Sequence, residues 1–162
     1  LYVKDSMTGL YNRMGYQKLS ISYFTIMREK KMPVLVMFID LDRLKYINDT
    51  FGHEYGDFAI VSIAKAMLKH CDADAIAART GGDEFIVLEG AKDEESGRVL
   101  AQKIRTELSK TQRAMQLPFD LSASIGAVVA HPGEENVLES YVKRAEMLMY
   151  EEKAEKKVSR DS

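Results

Sequence analysis

Val34-Leu35-Val36-Met37-Phe38-Ile39-Asp40-Leu41-Asp42 is the stretch on which the fold turns. Six consecutive apolar residues without polar alternation read as a strand buried on both faces, and such a strand needs a layer of helices above and below it. Pro33 bounds the run upstream, and two acids end it. A carboxylate just past a buried run is costly to leave alone, so Asp40 must find water, a cap or a cation. Asp42 has a simpler reading available, as the cap of a short helix expected over about 43–48.

Working outward, Asn12 is placed to cap a helix running to about residue 31, with Leu19, Tyr23, Ile26 and Met27 as its apolar stripe. Downstream, Gly52 and Gly56 read as breaks before a helix whose Ile60, Ile63, Ala64, Met67 and Leu68 share one face. Two short strands are expected over 75–79 and 85–89, joined by Gly81-Gly82, a pair suited to the positive φ angles of a tight hairpin. A helix over 93–109 carries Leu100, Ile104 and Leu108, and a longer strand follows over 119–130. The last helix spans about 137–157, with Asn136 and Glu139 at capping-box spacing. Its expected buried face is Leu138, Tyr141, Val142, Ala145, Leu148 and Met149. This order predicts an α+β fold, with a mixed, mostly antiparallel sheet flanked by helices.

Bulk properties narrow the function. The 162 residues, with no repeat or low-complexity linker, read as a single domain over 1–162. A net charge of −2 leaves no broad basic surface, so no nucleic-acid partner is expected. Cys71 is the only cysteine, which rules out an internal disulfide, and His53, His70 and His131 have no zinc spacing. No run is long enough to span a bilayer, so no membrane contact is expected from these residues, and a cytoplasmic location fits. Because the chain opens on Leu1, it reads as a fragment of a longer protein, membrane-anchored or not, whose N-terminal sensory region is absent.

Gly81-Gly82-Asp83-Glu84-Phe85 is the second acidic group. Two acids at a hairpin tip are commonly just a solvated turn. If Asp40 and Asp83 converge, however, they form a hard oxygen site suited to Mg²⁺, which keeps several waters and takes phosphates as further ligands.

These motifs together resemble the GGDEF family of diguanylate cyclases. Gly81-Gly82-Asp83-Glu84-Phe85 spells the signature, preceded by Arg79-Thr80 where the family has Arg-Tyr. Phe38-Ile39-Asp40-Leu41-Asp42, Lys45, Ile47-Asn48-Asp49, Gly52-His53 and Gly56-Asp57 resemble its central motif. Asp5-Ser6-Met7-Thr8-Gly9-Leu10-Tyr11-Asn12-Arg13 is similar to its opening motif, while Ser122, Ser124, Ile125, Gly126, Ala145, Tyr150 and Lys153 match its last strand and helix. The likeness runs in order over about 5–157.

The resemblance implies a polymerase-palm-like fold with a ferredoxin-like core, and condensation of two GTP into cyclic di-GMP by a two-fold dimer using Mg²⁺ or Mn²⁺. It implies a metal held by Asp40, Asp83 and the Leu41 carbonyl. Asp83 is also the implied base for the 3′-hydroxyl, although a carboxylate on a metal is a weak base; Glu84 would serve a second metal or assist that proton transfer. Lys45 would stabilise transition-state charge, and backbone N–H groups near Arg43 and Leu44 would meet phosphate. Asn48 and Asp57 would read guanine, an acceptor-only carboxylate suiting the N1 and N2 donors that adenine lacks. His53 is either a substrate contact or a hydrogen-bonded loop histidine. Lys153 and Lys157 would reach the β- and γ-phosphates, or belong to a solvated helix end.

Departures from the pattern are Thr80, Met14, Glu146 and Lys157, the last keeping charge where the family has Arg but losing the bidentate fork. Asp72 and Ala75 stand where an Arg-x-x-Asp product-inhibition motif would lie, so no such inhibition is expected. Two other readings stay open: a degenerate module that binds GTP and regulates a partner, and a cyclase that accepts ATP.

Overall fold

In the computed structural model, which describes residues 2–161, every position of strand β1 (Val34–Leu41) is buried. Strand side chains alternate sides, and here the alternation sorts two cores. Leu35, Met37, Ile39 and Leu41 join a cluster with Ile60, Ile63, Ala64 and Met67 of α3 (His53–His70) and Leu100, Ile104 and Leu108 of α4 (Ser96–Ala114). Val34, Val36 and Phe38 join the other, with Phe24 and Met27 of α1 (Arg13–Glu29) and Leu138, Tyr141, Ala145 and Met149 of α5 (Leu138–Asp161). Asp40 is the next residue of that second series, so the strand delivers it to the α5 side.

The remaining elements are α2 (Leu44–Phe51), β2 (Ile76–Arg79), β3 (Glu84–Gly90) and β4 (Ala123–Ala130). The sheet order is β2-β3-β1-β4, and every neighbouring pair of strands is antiparallel. The one parallel pairing described is an isolated bridge between Tyr11 and Ala78. Two crossovers through helices on one face, with the second hairpin strand inserted beside β1, give the ferredoxin-like arrangement that the family resemblance implies. The register sets Asp40 opposite Glu84 on one side and Ser124 on the other.

Several local expectations change. Asn12 does cap α1, its side chain accepting from Gly15 N, but Leu19 and Ile26 are exposed and the buried face is Ser20, Phe24 and Met27. Leu148 is exposed as well. Gly56 does not break a helix: α3 starts at His53, and Gly56 lies inside it. Its role is close approach, because a Cβ there would sit 1.8 Å from Asn48 Oδ1. The left-handed glycine of this corner is Gly52, at φ 101° between α2 and α3. Neither Gly81 nor Gly82 uses a positive φ. Gly81 instead leaves room for Glu84, whose Oε2 would lie 3.0 Å from a Cβ at that position.

Candidate active site

Two neighbouring ladders bring the acids together. Leu41 N donates to the Asp83 carbonyl at 2.9 Å, pinning the hairpin tip to the end of β1. Two guanidiniums clamp the tip. Arg13 reaches the Thr80 carbonyl at 3.0 and 2.7 Å, and Arg79 reaches the Gly82 carbonyl at 3.1 and 2.8 Å while pairing with Asp5 at 3.3 Å. The motifs contain both arginines, but nothing in their spacing assigns them this task. Since Thr80 offers its carbonyl, its departure from Tyr leaves the clamp intact.

Asp40 is buried, and its Oδ2 lies 3.3 Å from Lys153 Nζ. Its Oδ1 is buried with no hydrogen-bond partner. Burial pushes the Asp40 carboxyl up to about 7; Lys153 opposes this, and Asp83 adds to it by charge and contact. Asp40 and Asp83 therefore do converge, and the neighbouring carboxylate disfavours charge on Asp40. Glu84 is also raised, first by burial and then by Asp83 and Glu146. Glu146 stands where the family commonly has Asp, so this departure keeps the negative charge that acts on Glu84.

Asp42 does not cap α2. The cap position is Arg43, in the left-handed region at φ 59° with no side-chain hydrogen bond to the helix, so the first N–H groups of α2 are left for another acceptor. The Arg43 guanidinium stacks on Tyr46 at 3.9 Å, and Leu44 is half-buried. Asp42 turns inward instead, accepting from Ser122 Oγ, Ser124 Oγ and Lys156 Nζ, each at 2.7 Å. Burial works against its charge, but Lys156 and the two hydroxyls more than offset this and hold its carboxyl below the usual range.

Lys156 also donates to the Ala123 carbonyl at 2.8 Å and pairs with Glu152 at 3.2 Å. Glu152 in turn takes a bidentate pair from Arg105 at 2.7 and 2.9 Å. The charge-rich end of α5 is thus anchored to β1, β4 and α4. Lys156 is a functional neighbour that sequence reasoning passes over, and its i, i+4 spacing from Glu152 was the available signal.

Of the other expected site residues, Lys153 comes to the acids, contacting the Leu41 carbonyl at 3.5 Å and Asp42 at 3.8 Å besides Asp40. Lys157 is exposed. Lys45 makes no ion pair with the site acids among the described residues; it is 90% exposed and pairs with Asp49 at 3.0 Å. Asn48 is half-buried, with Oδ1 lacking a partner against the Gly56 backbone. His53 and Asp57 sit exposed on the first turns of α3, across Gly52 from Asn48.

Among the described residues, no three His, Cys, Asp or Glu side chains group as a metal cage. The donor set here is two carboxylates and one carbonyl, with an unpartnered buried oxygen on Asp40. Such an incomplete oxygen set fits Mg²⁺, which retains waters and takes phosphate oxygens.

With that geometry in place, the chain can be compared with known proteins. The family profile described as diguanylate cyclase, GGDEF domain, matches residues 2–159. The chain belongs to the GGDEF domain family. It is 34% identical over 153 residues to diguanylate cyclase VdcA of Vibrio cholerae serotype O1, covering 92% of this chain and 43% of that protein. It is 28% identical over 150 residues to the cyclic di-GMP phosphodiesterase NbdA of Pseudomonas aeruginosa, covering 93% of this chain and 19% of NbdA. The chain thus spans less than half the length of these relatives. Among solved structures, a microbial GGDEF domain described in its interaction with cyclic di-GMP aligns with a TM-score of 0.78 at 27% identity, covering 96% of this chain and 95% of that one. This GGDEF domain has no described helix long and apolar enough to cross a membrane.

Proposed function

We propose that the domain is a diguanylate cyclase that condenses two GTP into cyclic di-GMP with release of two pyrophosphates. The observation that carries this reading is the acid pair at the end of β1: Asp40, with a buried unpartnered oxygen, beside Asp83 and the Leu41 carbonyl. Asp40, Asp83 and the Leu41 carbonyl would hold Mg²⁺ or Mn²⁺, which when bound supplies an activated 3′-hydroxyl and a neutralised leaving group.

The chain's own residues do the rest. Asn48 and Asp57 orient guanine, and His53 borders the same corner. The uncapped N–H groups near Arg43 and Leu44 donate to phosphate oxygens. Lys45, on an exposed stem beside Asp49, and Lys153 and Lys157 from α5, balance charge on the phosphates. Glu84, whose carboxyl is raised, takes the 3′-hydroxyl proton more readily than an Asp83 occupied by metal. Two copies facing across a two-fold axis match the symmetry of the product. Around Asp72 the surroundings are acidic, with Asp74 and Glu89 close by, which supports the absence of product inhibition there.

Purified domain at high concentration is incubated with GTP and Mg²⁺, beside a parallel ATP reaction and Asp83→Ala. Cyclic di-GMP from GTP alone is expected, falling by about two orders of magnitude or more in Asp83→Ala. The second reading, a GTP-binding module without turnover, draws on the outward positions of Lys45 and Lys157. GTP binding without product, even under forced dimerisation, would select it.

A further inference from the structure

Lys153 cannot hold two positions at once. As a phosphate ligand its ammonium belongs over the substrate. In the structure it sits instead on Asp40 Oδ2 at 3.3 Å and the Leu41 carbonyl at 3.5 Å. Those residues supply two of the three donors expected for the metal. A metal ion bound to these oxygens at about 2.1 Å excludes an ammonium from the same space, by volume and by like charge.

We propose that Lys153 is the resident counter-cation of this acid pair, that a divalent metal displaces it, and that displacement frees its ammonium for the substrate's phosphates. The inference rests on the cyclase reading. Metal and lysine would then act in sequence, the first releasing the second.

Three observations support the exchange. Lys153 is held loosely: its contacts of 3.3, 3.5 and 3.8 Å spread one ammonium over three oxygens, and its side chain is 35% exposed. Lys156, one turn on, is held at 2.7 and 2.8 Å and already neutralises Asp42. Departure of Lys153 therefore leaves Asp42 paired and uncovers Asp40 and the Leu41 carbonyl. Finally, the ammonium does not complete the site, because Asp40 Oδ1 stays without a partner beside it. A metal that accepts more than one oxygen can use what the lysine leaves over.

The test uses Mn²⁺ alone, without nucleotide, on the folded domain. Mn²⁺ affinity is read by electron paramagnetic resonance for the unaltered protein and for Lys153→Met. Removing the competing cation is expected to tighten Mn²⁺ binding roughly tenfold. A second measurement needs no variant: labelling of Lys153 by an amine-reactive ester, read by mass spectrometry, is expected to rise severalfold when Mn²⁺ is added. Equal or weaker Mn²⁺ binding in Lys153→Met, or labelling that ignores Mn²⁺, overturns the exchange. If folded protein binds no Mn²⁺ with or without Lys153, the metal site of the cyclase reading fails, and this inference fails with it.

Discussion

Asp42→Ala separates two accounts of one carboxylate. A residue that merely capped α2 would cost about 1 kcal/mol on removal. The structure gives Asp42 a different position, 5% exposed and accepting three bonds at 2.7 Å from Ser122, Ser124 and Lys156. Hydrogen bonds to a charged group contribute about 1.5–3 kcal/mol each, and breaking a buried pair costs more than a surface one. Part of that is recovered, since Lys156 keeps Glu152 and the Ala123 carbonyl, and Ser122 is only half-buried. The expected loss is therefore about 3 kcal/mol, against a naive sum of about 4.5–9 kcal/mol. For a domain of this size that is a fall in Tm of roughly 6–12 °C. Chemical denaturation at neutral pH reads it directly. A cycle with Lys156→Met adds a second check, with a coupling of about 1–2 kcal/mol expected. A loss near 1 kcal/mol, or strictly additive variants, would refute the network and restore the cap.

Other outcomes follow from the same geometry. In EDTA the domain is expected to lose stability as pH rises from about 4 to about 7, because native Asp40 keeps its proton to about 7 while the unfolded carboxyl releases it near 3.8. Native Asp40 binds the extra proton across that window, so its contribution is full below the window and gone above it. Asp40→Asn should flatten the slope by about 2 kcal/mol, half the full conversion because the Lys153 side is open to solvent; denaturant midpoints at pH 5 and 7.5 that fall equally in both proteins would sink the assignment. Gly56→Ala forces Asn48 aside, since its Cβ would lie 1.8 Å from Oδ1, and should weaken binding of a non-hydrolysable GTP analogue by about tenfold with a small change in Tm. Calorimetry showing unchanged affinity would remove Asn48 from the guanine site. Gly126→Ala meets backbone, 2.0 Å from the Ala145 carbonyl and 2.5 Å from Met149 N, so α5 must lift off the sheet at a cost of about 3 kcal/mol or more. A near-neutral melting curve would refute that packing.

Much of this is legible in the sequence. The unbroken apolar run of β1 announces a central strand, and its end announces where Asp40 must surface. The Gly-Gly-Asp-Glu-Phe tip announces the second acid. What could not be read depends on which of two apolar stripes a helix buries. Residues 19–27 of α1 are apolar on several sides, so periodicity favours Leu19 and Ile26 as readily as Phe24 and Met27. Only the packing of α1 against β2, in the cluster that holds Ile76 and Ala78, decides. The glycines at 81 and 82 are ambiguous for a related reason: a glycine can serve φ or space, and sequence does not say which.

The end of α5 is the sharper case, because composition points the wrong way there. Residues 151–157 contain six charges in seven positions, the signature of a solvated helix. Yet Glu152, Lys153 and Lys156 fall on one face by their spacing of one, three and four, and that face meets Asp40, Asp42 and Arg105. The charge is tolerated at a half-buried surface because each side chain is paired, and pairing is also what aims it. Gly126 brings α5 near enough to β4 for those pairs to form, and Asp42 holds Lys156 so that Lys153 alone remains movable. One loosely held cation among several fixed ones is therefore the feature a catalytic reading of this face has to use, and it is the feature that a count of charges cannot reveal.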